Sequence, residues 1–240
     1  MLGDIHGGAS ALRKALNWMS SEGVEAILSV GDFATLTSDV VKDLAIVKSL
    51  FEMLNEQGIP VLYVWGNRDI ELFERMILLD SPSARRECID MIHEMLGFSN
   101  LIEVPRDTRI RLADDLYITR NPELLDLKTI YLTHYDEYVR SCFLHIEGHV
   151  HYAQVASRYV NAGYVHRDDF HGARESDGLA IVIEISGGTR VLIKPLGSVK
   201  PMICPEHYAE GIFFVPSSWR MCPVCYDWTR AKMSRTALHL

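Results

Sequence analysis

The sequence predicts an α/β protein in which two packed sheets carry helices on their outer sides. Up to Gly97, short apolar runs alternate with amphipathic helical patterns, and after Gly97 short β-rich runs dominate. Alternating strands and helices followed by many strands are typical of stacked sheets covered by helices. Ligands of such sheets gather at the strand ends. Polar residues that follow predicted strands are therefore the first candidates for a functional site.

Each element has its own local signal. The first helical pattern carries an apolar stripe from Leu12 to Met19 and stops before Gly23, and the second stops before Gly58. The predicted helices are Ala9–Glu22, Asp39–Gln57, Ile70–Leu79 and Ser83–Leu96. The predicted strands are Glu25–Val30, Pro60–Trp65, Leu101–Val104, Arg109–Leu112, Leu116–Thr119, Thr129–Thr133, Phe143–Glu147, Gln154–Val160, Leu179–Ile185 and Arg190–Ile193.

The core is predicted to close near Leu196, which divides the chain into a domain over residues 1–196 and a tail over residues 197–240. The tail has few strand or helix signals of its own. It contains five basic and three acidic residues, whereas the whole chain carries a net charge of −8. The body is therefore the acidic part of the protein.

The composition limits the function classes. An acidic chain offers no global basic field to nucleic acid, which disfavours a nuclease without excluding a local basic patch. The chain has neither an apolar stretch of about 20 residues nor a signal-peptide pattern. We expect a cytoplasmic protein with no membrane partner. The sequence does not indicate an oligomeric state.

Seven oxygen or nitrogen donors follow the predicted strands on five loops, several of them beside glycine. They are Asp4 and His6 in GDIHG, Asp32 in GDF, Asn67 in GNRD, His134 in LTHYD, and His149 and His151 in GHVH. Glycine allows sharp turns and a close approach of the backbone to an ion. A carboxylate can bridge two cations, and imidazole suits Mn, Fe, Ni or Zn. The series predicts a site for two metal ions.

Each of these pieces has a simpler explanation when it is taken alone. GDIHG fits a turn, and GHVH fits a loop with a buried histidine. Asp32 could cap a helix, Asn67 could belong to a turn, and His134 could be a buried polar side chain. The five pieces in this order, each at a strand end, favour the metal site.

The ordered motifs resemble those of the calcineurin-like metallophosphoesterases, whose blocks read GDxHG, GDxxD, GNH[D/E], a later histidine and GHxH. The resemblance covers about residues 1–195 and implies a four-layer α/β-β/α sandwich of two mixed sheets flanked by helices. It also implies two ligand sets that share one aspartate. These are Asp4, His6, Asp32 and His151 for one ion, and Asp32, Asn67, His134 and His149 for the other.

The resemblance implies a chemistry as well. Two divalent ions about 3.5–4 Å apart clamp phosphate oxygens and lower the pKa of a shared water, and the resulting hydroxide attacks phosphorus. The expected activity is metal-dependent hydrolysis of a phosphate ester, most of all a phosphodiester. The expected substrate is a phosphorylated small molecule or a nucleotide. Mn²⁺ is the favoured ion, with Fe, Ni or Zn as alternatives.

Two departures from the family pattern concern the first two blocks. GDFATLTSD either lacks the usual second acid or carries it further along, at Asp39. Only Met1 and Leu2 precede Gly3, which is short for a central strand. This indicates a natural start upstream of Met1 or a trimmed chain.

The third departure is Arg68, which stands where the family has a histidine that donates a proton to the leaving group. Arginine stays protonated at any working pH, so it cannot act as a general acid, but its guanidinium can bind phosphate oxygens. Alternatively it pairs with Asp69 or Glu71 outside the site. His166 and His171, in HRDDFHG, are candidates for an acid from elsewhere, and each could equally be a solvated loop residue.

The tail contains a second set of metal donors. Their spacing is C-x2-H-x14-C-x2-C, formed by Cys204, His207, Cys222 and Cys225. This spacing predicts one structural Zn²⁺, which would stabilise a segment with little core of its own. The alternative is a loop with spare thiols. Trp219, Tyr226 and Trp228 could stack on bases, or could dock on the protein's own sheet or on a partner.

Two other functions compete with the phosphoesterase. One is a nuclease of the DNA-repair branch of the superfamily, which needs a basic channel that an acidic body does not favour. The other is a non-catalytic scaffold similar to the retromer subunit of this fold, which lacks the catalytic histidine. All seven donor positions are filled here, and this favours the enzyme.

Overall fold

The computed structural model describes residues 1–136, 138–168, 176–186 and 188–227. Four α-helices lie in the first half of this part of the chain: α1 (Ala9–Ser21), α2 (Val40–Asn55), α3 (Asn67–Ile77) and α4 (Pro82–Leu96). The strands are β1 (Ile27–Ser29), β2 (Val61–Tyr63), β3 (Leu101–Glu103), β4 (Ile110–Ala113), β5 (Leu116–Thr119), β6 (Thr129–Leu132), β7 (Leu144–Glu147), β8 (Ala153–Ala156), β9 (Tyr159–Ala162), β10 (His166–Arg167), β11 (Ser176–Asp177), β12 (Leu179–Ile185), β13 (Thr189–Pro195), β14 (Val199–Met202) and β15 (Ile212–Pro216).

The first sheet is built around three parallel strands in the order β1-β2-β3. The chain start extends it, because Leu2 forms a parallel bridge with Ser29. Backbone hydrogen bonds between Met1 and Ile181 then add the β12–β13 hairpin to this sheet, beside the chain start. All four helices contribute buried side chains to the core on this sheet, such as Leu12 of α1 and Leu44 of α2.

The second sheet has eight strands in the order β14-β15-β8-β9-β7-β6-β5-β4. Its central strands β5, β6, β7 and β9 run parallel, and the outer pairs are antiparallel. A second core joins the two sheets, since Leu62 and Ile181 of the first pack with Ile130, Ile146 and Val160 of the second. The predicted fold class, mixed sheets flanked by helices, is confirmed.

Several elements differ from the sequence-based expectation. Helix α3 begins at Asn67 rather than Ile70, because Gly66 is extended and the Asp69 side chain accepts the Gly66 amide. The single strand predicted over 154–160 is a hairpin of β8 and β9, with its turn at Ser157 and Arg158. Local alternation cannot separate one long strand from two strands joined by a two-residue turn.

The tail shows few strand signals in its sequence, yet it contributes β14 and β15, which extend the second sheet from β8. Pro201 in β14 is tolerated because β14 lies at the sheet edge, where one side of the strand makes no ladder. The division into units at 196/197 stays a prediction. No helix in the described part of the chain is long and apolar enough to cross a membrane.

Candidate metal centres

The topology gathers the seven predicted donors at one edge of the paired sheets. Asp32 follows β1, Asn67 follows β2, His134 follows β6, and the GHVH loop follows β7. Parallel strands place their carboxyl ends at the same edge, so donors from both sheets meet there. Asp4 joins them from the chain start, where it forms a parallel bridge with Tyr164.

The first cluster consists of Asp4, His6 and His151. The Nε2 atoms of His6 and His151 lie 3.1 Å apart, and His151 Nε2 lies 3.1 Å from Asp4 Oδ2. The other ring nitrogen of His6, Nδ1, lies 3.2 Å from the carbonyl oxygen of Ala34. A carbonyl partner requires a proton on Nδ1, which leaves the Nε2 lone pair directed at the cluster.

The second cluster consists of Asp32, His134 and His149, with Asn67 among them. Asn67 Oδ1 lies 2.9 Å from His134 Nε2 and 3.0 Å from His149 Nδ1, and these two ring nitrogens are 3.2 Å apart. Asp32 Oδ2 is 3.5 Å from His134 Nε2. His134 Nδ1 donates to the carbonyl oxygen of Val30 at 2.8 Å, so its Nε2 also presents a lone pair.

Backbone contacts join the two clusters. The amides of Ile5 and His6 both donate to the carbonyl oxygen of Asp32, at 2.9 Å each. The amide of His149 donates to Asp4 Oδ1 at 3.2 Å. A displacement of either loop would therefore disturb donors of both clusters. The role of Asp32 as a shared ligand stays a prediction.

Four of the donor residues have left-handed backbone conformations, which residues other than glycine rarely adopt. The φ angles are 42° for His6, 51° for Asp32, 71° for His149 and 53° for His151. Each such residue costs of order 1–3 kcal/mol and persists only where the surroundings hold it, commonly at functional sites. The fold therefore holds these donors in place against their local preference.

The electrostatics of the two clusters favour the binding of cations. Burial lowers the pKa of His6 and of His149, which keeps both imidazoles neutral. Burial, reinforced by the charge of Asp4, raises the pKa of Asp32. Burial opposes ionisation of Asp4 as well, but the hydrogen bond from His151 and the nearby histidines hold its pKa below the ordinary value. A divalent cation would offset the cost of placing two buried carboxylates side by side.

The donor geometry also fits metal ions. Ligands at about 2.1 Å from one ion are about 3.0 Å apart at 90° and about 3.4 Å apart at a tetrahedral angle. Contacts of 2.9–3.2 Å in both clusters are close to the 90° case, and the 3.5 Å between Asp32 Oδ2 and His134 Nε2 is close to the tetrahedral case, so the separations fit metal ligation without selecting one ion. Glycine provides the space, because a Cβ on Gly148 would lie 2.7 Å from Asp4 Oδ1.

Asp69 is a residue of the site that the sequence analysis did not single out. It is buried, and its two carboxylate oxygens accept the amides of Ala34 and Gly66 at 2.9 Å each. It therefore ties the loop of Asp32 to the loop of Asn67. The sequence signals only the local half of this role, the bond to Gly66, as an acid three residues after the helix cap.

Arg68 is half-buried at the start of α3, and its backbone amide donates to Asp32 Oδ1 at 2.8 Å. The alternative pairings of the Arg68 side chain, with Asp69 or with Glu71, stay open. Asp39 caps α2 by accepting the Lys42 amide and lies exposed, so it is not a displaced second acid of the site.

The solvated-loop alternative is wrong for His166, which is buried with its Nδ1 3.2 Å from Asp177 Oδ1. His166 lines a cavity of about 760 Å³ together with His6 and Gly8. It therefore lies next to the first cluster. His171 and Trp228 lie outside the described residues.

The four tail donors also converge. Nδ1 of His207 lies 3.5 Å from Cys204 Sγ, 3.6 Å from Cys222 Sγ and 3.4 Å from Cys225 Sγ. His207 lowers the pKa of the Cys204 thiol to about 7, whereas the neighbouring Cys222 raises the pKa of the Cys225 thiol to about 12. Such a group can hold a metal ion, which would favour the thiolate form of all three cysteines.

The fold and the paired clusters define a metal-binding protein with its site at the carboxyl edge of two stacked sheets. A profile of the calcineurin-like phosphoesterase superfamily domain matches residues 1–187. The chain belongs to this superfamily, whose activity class is metal-dependent phosphoester hydrolysis. No curated protein matches the chain.

Among solved structures, TT1561 of Thermus thermophilus aligns with a TM-score of 0.53 at 14% identity, covering 81% of this chain and 97% of that one. Yfce, a phosphoesterase from E. coli, aligns with a TM-score of 0.38 at 17% identity, covering 81% of this chain and 97% of that one. The first of these alignments shows a shared fold.

Proposed function

We propose that the protein is a dinuclear-metal phosphodiesterase of the cytoplasm that acts on a phosphorylated small molecule or a nucleotide. The observation that carries the proposal is the pair of interlocked donor clusters, Asp4–His6–His151 and Asp32–His134–His149. The reducing compartment is supported by the five cysteines, none of which forms a disulfide within the described residues.

The residues of the site have different roles in this reaction. When bound, two divalent ions, Mn²⁺ by preference, would neutralise phosphate oxygens and activate a water molecule. The two clusters would hold those ions, with Asn67 as an additional oxygen donor. The N-terminus of α3 directs the Arg68 amide at Asp32, which favours the negative charge of that carboxylate. Arg68 supplies a permanent cation for phosphate oxygens.

Specificity for diesters is supported by two clefts that flank the clusters. The cavity of about 760 Å³ opens beside His6 of the first cluster. A second cleft of about 570 Å³ opens beside Asn67 and His134 and is also lined by Arg106 and Arg120. A phosphodiester has two ester groups on one phosphorus, so a phosphate bound between the clusters could place one group in each cleft. A monoester would use only one of them.

The decisive experiment compares Asp32→Asn with Asp39→Asn. Asp32 is a buried donor of the second cluster, whereas Asp39 is an exposed helix cap. Manganese binding is measured by calorimetry. Turnover is measured on bis-p-nitrophenyl phosphate, p-nitrophenyl phosphate, cyclic nucleotides and oligonucleotides. We expect Asp32→Asn to weaken manganese binding and abolish turnover, and Asp39→Asn to leave both unchanged.

The substrate panel tests the finer assignment. Higher kcat/KM on the diester than on the monoester supports the phosphodiesterase. Preference for oligonucleotides would replace it with the nuclease, and preference for monoesters with a phosphatase. Tight manganese binding without turnover on any of these substrates would favour the non-catalytic scaffold.

A further inference from the structure

The four tail donors have the separations of one tetrahedral zinc ion. Zn–S bonds of about 2.3 Å and Zn–N bonds of about 2.0–2.1 Å give S···S distances of about 3.8 Å and S···N distances of about 3.6 Å at the tetrahedral angle. Cys204 Sγ and Cys225 Sγ are 3.7 Å apart, and the three sulfurs lie 3.4–3.6 Å from His207 Nδ1.

A disulfide does not explain this geometry. Bonded sulfurs lie about 2.05 Å apart, far less than the 3.7 Å between Cys204 and Cys225. A disulfide would also leave out His207 and the third cysteine, both of which point at the same centre. The cluster is therefore built for a metal.

The cluster is packed against a small core that joins the tail to the second sheet. Phe213 and Val215 of β15 are fully buried with Cys222, and Tyr152 and Trp219 pack against them. Strand β15 pairs with β8, with Phe214 opposite Ala153. The side chain of Gln154 in β8 donates to the carbonyl oxygen of Glu210 at 2.7 Å.

This core begins one residue after a donor of the first cluster. Tyr152 follows His151 directly, and its ring lies 6.0 Å from that of Phe213, centroid to centroid. His151 has a left-handed backbone, with a φ of 53°, which must be held by its surroundings. On its C-terminal side, those surroundings are Tyr152, β8 and the tail packed onto β8.

We propose that Cys204, His207, Cys222 and Cys225 bind a structural Zn²⁺, and that this ion braces the loop of His151 through Tyr152 and β8. The tail is then a positioning element for the first metal cluster. The zinc site stands independently of the proposed function. Only the effect on the first cluster rests on it.

The first test counts zinc in the purified full-length protein by elemental analysis. We expect one zinc in the wild type and in Cys88→Ser, which removes a buried cysteine of α4 outside the cluster. Cys222→Ser should contain none. Cobalt substitution should give the visible spectrum of a tetrahedral thiolate site in the wild type and in Cys88→Ser, but not in Cys222→Ser. A wild type without zinc and without that cobalt spectrum overturns the site.

The second test measures the brace by hydrogen exchange, which requires neither manganese nor activity. Loss of zinc in Cys222→Ser should speed amide exchange over residues 152–156 and 212–216 and leave α1 and α2 protected. Unchanged exchange over 152–156 would contradict the brace. If Cys222→Ser fails to fold, Tyr152→Ala tests the link at its other end: with the zinc cluster intact, its exchange over 152–156 should be faster than in the matched control Tyr152→Phe, and equal exchange in the two would contradict the brace.

The third test links the brace to the first cluster. Tyr152→Ala should keep its zinc but bind manganese about tenfold more weakly at one of two sites, as is typical when a residue behind a metal ligand is removed. Tyr152→Phe should bind like the wild type. Equal affinities for all three proteins would overturn the coupling. A wild type that contains zinc but binds no manganese would instead refute the proposed function.

Discussion

The substitution Gly66→Ala tests the effect of steric crowding without any backbone strain. Its φ of −90° and ψ of 179° are open to any residue, so Gly66→Ala introduces no conformational penalty of its own. The added Cβ, however, would lie 2.1 Å from Asp32 Oδ1 and 2.5 Å from the backbone nitrogen of Asp32. One of the two loops must move.

The size of that movement decides the outcome. Opening the 2.1 Å contact even to 3.0 Å requires a shift of about 1 Å. Metal–ligand distances tolerate only about 0.2 Å. Asp32 therefore cannot keep its place beside His134, and the hydrogen bond from the Arg68 amide to Asp32 Oδ1 is strained as well. The crowding should also lower the free energy of unfolding by about 1–3 kcal/mol.

The assay combines manganese calorimetry with denaturant unfolding of Gly66→Ala and of a control, Gly188→Ala. A Cβ on Gly188 meets no atom within 4 Å, so the control should bind and unfold like the wild type. Gly66→Ala should lose tight manganese binding. If it binds manganese with wild-type affinity, Asp32 is not a metal ligand held by this contact, and the assignment of the second cluster is wrong.

Three further predictions concern single side chains. Asp69→Ala leaves two buried amides without acceptors and should lower the free energy of unfolding by about 2–6 kcal/mol, against about 1 kcal/mol for the exposed cap in Asp39→Ala, as measured by urea denaturation. Similar losses in both variants would contradict the bridging role of Asp69. Arg68→Ala should keep both metals and lower kcat on diesters about 10²-fold, whereas Arg68→His should favour poor leaving groups; kcat/KM within twofold of wild type for Arg68→Ala on every substrate would refute this. Burial lowers the pKa of His145 to about 4. Between pH 6.5 and 4 the folded protein therefore binds fewer protons than the unfolded chain. The free energy of unfolding, complete above pH 6.5, should fall by up to about 3 kcal/mol as the pH falls through this range. His145→Gln should lose less stability than the wild type between pH 7 and 4.5, and equal losses would exclude His145 as the cause.

The candidate metal centre could be predicted from the sequence because its information is local. Asp32, Asn67, His134 and the GHVH loop each follow an apolar strand closely, and the edge where parallel strands end is fixed by the topology. The tail donors were found in the same way, since C-x2-H and C-x2-C each bring two donors together within one turn. Helix positions followed from periodicity and from glycine stops such as Gly23 and Gly58, which both have positive φ.

The features that escaped prediction depend on contacts between distant parts of the chain. The acceptor role of Asp69 requires Ala34, 35 residues away, to arrive at its carboxylate. Strands β14 and β15 are strands because β8 pairs with β15, and neither shows a clear alternation of apolar and polar residues. Local patterns carry no record of such partners.

The backbone and the side chain of residue 68 have separate roles, and this explains how the GNRD motif can carry an arginine. Helix α3 begins at Asn67, so residue 68 lies in the first turn, where its amide has no partner within the helix. That amide donates to Asp32 Oδ1, and any residue other than proline can supply the same bond. The backbone at this position therefore orders Asp32, whichever side chain residue 68 carries. Exchanging a histidine for an arginine keeps this backbone bond and replaces a titratable acid with a fixed cation. Under the proposed function, we expect the departure from the family pattern to affect which leaving groups are expelled, and not whether the metal centre forms.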